Sequence, residues 1–453
     1  MSKKLYIKTM GCQMNAYDSQ KMIDILSALG YKTVSEASDA DLMILNTCHI
    51  REKATEKVFS DLGRLRAHKE KKAQQGQKAL IAVAGCVAQA EGDIITKRAQ
   101  YVDMVFGPQT YHLLPEMILR ANGNERVINT EFPEDSKFDH LPQAPTGENF
   151  SAFLSVQEGC DKFCTYCVVP YTRGSEFSRP AAQVIEEAKK LVDNGSKEIN
   201  LLGQNVNAYN GGVTLAELIA RLAEINGLER IRYTTSHPND MADDLIFAHR
   251  DIAKLMPYLH LPVQSGSNRI LELMNRKHTA EEYLAILEKV KAVRPDIALS
   301  SDFIVGFPGE TDADHQATMD IVEKVPYSAC YSFKYSPRPG TPGAVMTGMV
   351  AEHIKDKRLQ ELQALLLDKQ VKYNRSFIGK TMPVLFDRKG QKEGQLLGKT
   401  PYMQSIYTNA PARLFGQIVD VKITAATQNS VSGDVVTAEN ISQTALAAEK
   451  AVA

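Results

Sequence analysis

The sequence has no apolar run of transmembrane length, so no membrane association is expected. Its start, Met1-Ser2-Lys3-Lys4-Leu5-Tyr6-Ile7-Lys8, lacks the apolar stretch and cleavage site of a secretory signal. A cytoplasmic protein is the expectation. A reducing compartment suits seven cysteines that act as metal ligands rather than as disulfides. Net charge is also scarce: −1 over 453 residues does not by itself mark a nucleic-acid binder. No Ser/His/Asp arrangement and no paired carboxylates stand out. That absence is consistent with chemistry carried by a cofactor, the protein supplying position and exclusion of water.

What is present is ordinary globular composition, 43% hydrophobic and 24% charged, in a chain long enough for about two to four domains. Two stretches carry local positive bias. Arg51 to Lys72 holds eight Lys/Arg against four Asp/Glu, and Gly379 to Thr424 holds seven against three. Each reads as a solvated face or as part of an RNA surface.

The densest chemistry lies in Gly159-Cys160-Asp161-Lys162-Phe163-Cys164-Thr165-Tyr166-Cys167. Three cysteines spaced C-x3-C-x2-C are too crowded for a disulfide framework and one ligand short of a closed zinc site. Three thiolates in one loop suit an iron–sulfur cluster with one iron left open. The spacing, with an aromatic before the last cysteine, resembles the signature of the radical S-adenosylmethionine (SAM) superfamily. That resemblance implies a 4Fe–4S cluster on Cys160, Cys164 and Cys167, with SAM on the open iron and cleaved to a 5′-deoxyadenosyl radical. It also implies Tyr166 beside the adenine, although an aromatic core wedge fits that residue equally.

Upstream, Leu5–Thr9, Leu42–Leu45, Ala79–Ala84 and Val102–Phe106 read as strands, with helices expected over 18–29, 52–72 and 113–121. Asp18 and Ser19 suit a helix start and Gly30 its stop. Alternating β and α argues for a doubly wound parallel sheet. Cys12, Cys48 and Cys86 each fall just past a strand, so the carboxyl edge of that sheet would bring them together. Small or polar neighbours, Gly11, Thr47 and Gly85, would let backbone approach an inorganic group. A second three-cysteine cluster is expected.

The segments Gly11-Cys12-Gln13-Met14-Asn15, Asn46-Thr47-Cys48-His49-Ile50-Arg51-Glu52-Lys53-Ala54 and Gly85-Cys86 resemble those of the methylthiotransferases, over nearly the whole chain. The resemblance implies a second 4Fe–4S cluster on Cys12, Cys48 and Cys86, involved in supplying sulfur. It implies one SAM as methyl donor to that sulfur and another as radical source. Within the family the residues match best the branch acting on tRNA that carries N6-isopentenyladenosine next to the anticodon, with a methylthio group placed at C2. Other branches act on threonylcarbamoyladenosine tRNA or a ribosomal protein. A non-catalytic RNA-binding iron–sulfur sensor is the reading from another class. An electron donor and a sulfur source are implied partners, and a monomer is expected.

The central chain alternates again, with strands expected at 152–156, 198–202, 230–235, 258–263, 298–305 and 329–335 and helices including 181–193, 215–225 and 280–293. Six βα units match the partial (βα)6 barrel of the superfamily, in which loops after strands carry function. Gly203 and Gly306 would let backbone approach SAM, and Ser236, Gln264 and Asp302 would bond its ribose or amino-acid part. Turn and cap roles suit these residues as well. Arg276 reads as a partner for carboxylate or phosphate, or as a surface ion pair. His237 and Cys330 read as structural, and Glu176 with Arg179 as ion-pair formers.

After a helical pattern over 352–377 come short β runs at 382–386, 394–398, 403–407 and 416–424, expected as a small antiparallel barrel. It looks like the TRAM domain, which implies a grip on tRNA. Arg388, Lys389, Lys392, Lys399, Tyr402, Tyr407 and Arg413 are the candidates for it. The expected organisation is thus an α/β chain: N-terminal domain 1–130, Pro-rich acidic linker 131–150, radical SAM domain 151–377, TRAM-like domain 378–444 and a tail 445–453.

Overall fold

The computed structural model describes residues 3–48, 54–142, 147 and 149–436; the expected tail at 445–453 lies outside them, as do Arg51 and Lys53 of the first basic stretch. The chain forms two compact units. One comprises Met1–Glu148, Ala152–Ile225 and Ser336–Val345, the other Asn149–Ser151, Asn226–Tyr335 and Met346–Ala453.

In the first unit six parallel strands run in the order Tyr31–Thr33, Lys3–Thr9, Leu42–Thr47, Leu80–Gly85, Met104–Phe106 and Val127–Asn129. The two outermost strands are three residues long and escaped the sequence pattern. Strict alternation explains the layers. Leu42, Ile44, Leu80 and Ala82 face one core with the helices Gln13–Ala28 and Leu114–Asn122. Met43, Leu45, Ile81 and Val83 face the other, with Ala54–Gln74 and Cys86–Arg98. Burial on both faces is the reason these strands read as unbroken apolar runs.

The first helix starts at Gln13, not at Asp18. Asp18 and Ser19 are buried in its middle, where tertiary partners rather than a cap select them. Gly30, at φ +82°, does end it. The Pro-rich stretch 131–150 also contributes to the interior: Lys137 and Phe138 are buried.

Still in the first unit, Val156 N donates to Leu202 O at 2.9 Å, joining the ends of the strands Ser151–Ser155 and Glu198–Leu202. A two-residue antiparallel ladder, Gln157–Glu158 against Phe177–Ser178, then closes the base of the cysteine loop. In the second unit Tyr258–His260, Ala298–Val305 and Tyr327–Lys334 form a parallel sheet, and the helix Glu352–Arg375 packs on the last of these. The helices Ala181–Asp193, Leu215–Ala223 and Ala280–Val293 fall where their periodicity places them. Thr214 and Thr279 close capping boxes with Glu217 and Glu282.

The C-terminal module is a closed barrel of five strands: Thr381–Lys389, Gln395–Lys399, Ser405–Asn409, Ser430–Val435 and Ile418–Ala426. The fifth, Ser430–Val435, is polar in sequence and was not expected. Its pairing with Ser405–Asn409 is parallel, so the barrel is antiparallel at every seam but one. Arg230 and Arg232 tie this barrel to the rest of the second unit. Their guanidinium groups donate to the carbonyls of Lys399, Pro383, Pro401 and Thr400 at 2.8–3.0 Å.

Candidate iron–sulfur and radical site

Cys12, Cys48 and Cys86 all lie at the carboxyl edge of the six-stranded sheet. Cys12 is the N-cap of Gln13–Ala28, Cys48 follows Leu42–Thr47 directly, and Cys86 opens Cys86–Arg98. The glycines beside them are required by space as well as by conformation. A Cβ on Gly11, whose φ is +119°, would overlap Cys48 Cβ and stand 2.9 Å from its Sγ. On Gly85, at φ +89°, it would run into Thr47 O. Any side chain at either position would therefore push the loops apart.

A buried amide network locks the three loops. Asn15 Nδ2 donates to Asn46 Oδ1 (3.2 Å) and Thr47 O (2.8 Å). Asn46 Nδ2 returns to Asn15 O (2.8 Å) and Ser19 Oγ (2.9 Å), and Thr47 Oγ1 donates to Ala84 O at 2.6 Å. Cys12 Sγ reaches Asn15 Oδ1 at 3.2 Å. Hydrogen bonding with the Cys48 thiol, against the opposing effect of burial and with help from Arg173, brings the Cys12 thiol down to about 6. Burial pushes Cys86 up, partly offset by Arg173. A thiol that ionises near neutrality is a ready metal ligand.

The second trio sits on the hairpin loop. Gly159, at φ +71°, has no room for a Cβ against Ser175 O and donates its N–H to Gln204 Oε1 at 2.7 Å. Cys160 N bonds Gly174 O at 3.3 Å and Cys167 N bonds Cys164 O at 2.9 Å, so the loop folds back on itself. Burial raises the Cys160 thiol to about 11, with Cys164 nearby adding to the rise. Phe163 takes φ +48° and is half exposed. Tyr166 is half-buried on the same turn. Among the described residues no group of three His, Cys, Asp or Glu is already set in metal-holding geometry. Each trio of cysteines lies on loops shaped by glycines at positive φ and by backbone hydrogen bonds.

The remaining SAM candidates separate by what they touch. In the first unit Gly203 is close-packed by Gln157, whose Oε1 accepts from Gln204 N (2.8 Å) and Asn205 N (3.1 Å). The other four belong to the second unit. Gly306, at φ +72°, abuts the Lys355 side chain and donates to Glu310 Oε1 at 2.9 Å. Packing therefore already accounts for both glycines. Gln264 takes φ +78° at the sheet end, bonded through its backbone to Asp302 O and Ile304 N. Asp302 is partly exposed, 3.6 Å from His260 Nε2. Among the described residues Ser236 Oγ is buried with no hydrogen-bond partner.

Other expectations resolve plainly. Arg276 is buried and donates to Pro262 O, so it is no surface ion pair. Arg179 pairs with Glu187 at 2.7 Å. His237 Nδ1 caps a short helical turn by accepting from Asn239 N. Lys69 and Lys72, from the first basic stretch, are committed to Asp103 and Asp41. On the barrel, Arg388, Lys389, Lys392, Arg413 and Tyr407 are exposed. Tyr402 instead packs at a tilt beside Phe377 and donates to Asp296 at 2.9 Å. Lys399 is spent on Ser405 Oγ at 2.9 Å. Sequence reasoning gave no role of their own to Asn15, Asn46, Gln157 and Arg173; the one signal was a polar residue directly after an apolar run, as at Asn46.

Comparison with known proteins defines first the class. Residues 4–107 match the uncharacterized protein family UPF0004, 154–322 the radical SAM superfamily and 375–436 the TRAM domain. The fold is similar to that of a radical SAM methyltransferase from Kitasatospora setae (TM-score 0.58, 12% identity, covering 76% of this chain and 77% of that one). A cobalamin-dependent SAM radical enzyme is also similar, at TM-score 0.54 and 14% identity, covering 80% of this chain and 56% of that one. A member of this superfamily uses a 4Fe–4S cluster and SAM. Curated relatives named tRNA-2-methylthio-N(6)-dimethylallyladenosine synthase are 58% identical in Rickettsia canadensis (96% of this chain, 100% of that protein) and 57% in Agrobacterium fabrum (96% and 98%). The chain belongs to the family of these synthases, which are radical SAM transferases.

Proposed function

We propose that this chain adds a methylthio group to C2 of N6-dimethylallyl(isopentenyl)adenosine next to the anticodon of tRNA. The observation that carries the reading is the pair of cysteine trios, one at a sheet edge and one on the hairpin loop, in a chain that also ends in a TRAM barrel. We assign Cys160, Cys164 and Cys167 to the cluster that SAM meets, and Cys12, Cys48 and Cys86 to a second 4Fe–4S cluster. When bound, the first supplies the electron that cleaves SAM and the second a site for the sulfur to be transferred.

The chain's own residues bind, orient and exclude water. In the first unit the candidates for contact with SAM are Tyr166 and Gly203, and in the second unit Ser236, Gln264, Asp302 and Gly306. Radical chemistry suits the target, because C2–H of adenine is not acidic enough for a side-chain base. The base must leave its stack, which a loop makes cheaper than a duplex would. Residues 1–130 form the sulfur-supplying domain, 131–150 a connector, 151–377 the SAM domain and 378–444 the RNA-binding domain. The enzyme acts as a cytoplasmic monomer with an external electron donor and sulfur source.

Mass spectrometry of digested tRNA from a strain lacking this gene tests the assignment. Loss of the methylthio group with the dimethylallyl group retained is the expected result. An unchanged profile, or loss from threonylcarbamoyladenosine instead, overturns it.

A further inference from the structure

Four ionisable side chains meet out of water in the first unit: Asp18, Lys137, Glu158 and Arg173, each at most 3% exposed. Arg173 Nη2 donates to Asp18 Oδ2 at 2.6 Å, and Nη1 to Glu158 Oε1 at 3.1 Å. Lys137 Nζ donates to Glu158 Oε1 (2.7 Å) and Pro108 O (2.9 Å). Gln109 Nε2 bonds both Glu158 Oε2 (3.0 Å) and Arg173 O (2.8 Å). Two cations and two anions balance. Burying four charges is expensive, and an apolar replacement would often be as stable, so stability alone is a weak reason for such a cluster.

Position supplies a better one. Glu158 and Arg173 bracket the cysteine loop: Glu158 directly precedes Gly159, and Arg173 precedes Gly174, whose carbonyl holds Cys160 N. Asp18 lies on the helix capped by Cys12. The short helix carrying Arg173, Val169–Arg173, packs against the helix opened by Cys86. The positive charge of Arg173 acts on the Cys86 thiol, opposing the rise that burial causes, and on the Cys12 thiol. A residue of the first cluster's loop therefore lies on a helix packed against the one that Cys86 opens, and its charge acts on two ligands assigned to the second cluster.

We propose that Arg173 is a positioning residue for the second cluster: clamped by Asp18 and Glu158, it presents its N–H groups and positive charge to the sulfur at Cys86. The inference rests on the assignment of Cys12, Cys48 and Cys86 as cluster ligands. Charge and hydrogen bonds at ligand sulfur set the reduction potential of an iron–sulfur centre. Arg173 thereby stabilises the more negative, reduced form and raises the potential of the second cluster.

The test uses the full-length chain with Cys160, Cys164 and Cys167 replaced by Ala, so that any remaining cluster is the second one. If this parent binds no iron after reconstitution, the ligand assignment fails, a result distinct from failure of the present inference. In the iron-loaded parent, Arg173→Met and Arg173→Lys are compared by iron and sulfide content and by redox titration followed by electron paramagnetic resonance. The expected result is retained iron with a more negative midpoint potential for Arg173→Met. A smaller shift in the same direction is expected for Arg173→Lys, which keeps the charge and loses the two-pronged geometry. If Arg173→Met cannot hold iron, the Arg173→Lys shift decides alone. An unchanged potential in an iron-loaded variant overturns the proposal. Loss of iron from both variants makes Arg173 a scaffold residue only and overturns it equally.

Discussion

The two cysteine trios differ in what a single substitution should remove. Cys164→Ala takes a ligand from the loop assigned to SAM, so 5′-deoxyadenosine formation should vanish. Methylthiolation surviving in that variant would show the loop to be wrongly assigned. Cys48→Ala should leave SAM cleavage in part and stop sulfur transfer, read as dimethylallyladenosine accumulating without its methylthio form. Gly11 makes a subtler case. Its φ of +119° and the missing space beside Cys48 mean that Gly11→Ala combines backbone strain with overlap. We expect a cost of about 1–3 kcal/mol in chemical denaturation, with partial loss of iron from a protein whose other loop is untouched. Full iron at unchanged stability would mean that the loop relaxes freely.

Elements were legible in the sequence to the degree that local pattern determined them. The helices at 181–193 and 280–293 form over the ranges read from the sequence. The strands at 42–47 and 80–85 are unmistakable because both faces are buried. Strand-end cysteines were visible for the same reason. Asp18 misled because the same chemistry that suits a cap also suits a buried partner for Arg173, a residue 155 positions away. Tyr402 misled because exposure cannot be read from residue type, and its hydroxyl is taken by Asp296. One packing interaction offers a test at this scale. Tyr233, on the strand Arg230–Thr234, places its hydroxyl 2.7 Å from Nε2 of His249, on the helix Asp243–Asp251. Burial, with Arg294 adding its charge, depresses His249 to about 4. The unfolded imidazole protonates near 6.5 and the folded one does not. The contribution is therefore complete above that value and is lost as pH falls from about 6.5 toward 4, by up to about 3 kcal/mol. Urea unfolding of His249→Gln should lose less stability over this window than the parent does. Parallel curves for the two would assign the acid sensitivity elsewhere.

For the molecule as a whole, a net charge of −1 must be reconciled with a polyanionic substrate. Long-range attraction to RNA then has to come from local surface, since the average supplies none. In the first basic stretch, Lys69 and Lys72 face Asp103 and Asp41, which lie outside it and cancel part of its positive excess. In the C-terminal barrel, Arg388, Lys389, Lys392 and Arg413 are exposed, beside an exposed Tyr407. The barrel is also no loose appendage of its unit: Arg230 and Arg232 fasten four of its carbonyls. Reversing all four exposed charges to Glu should therefore weaken tRNA binding without unseating the barrel. The plot of affinity against salt should become shallower by about 0.7–0.9 for each phosphate no longer neutralised. SAM cleavage in the absence of tRNA should be unchanged, because none of the four lies in the segments assigned to the clusters or to SAM. An unaltered affinity and salt slope would place the grip on tRNA elsewhere in the chain. A fall in affinity with the slope preserved would point to stacking, with Tyr407 the residue to replace next.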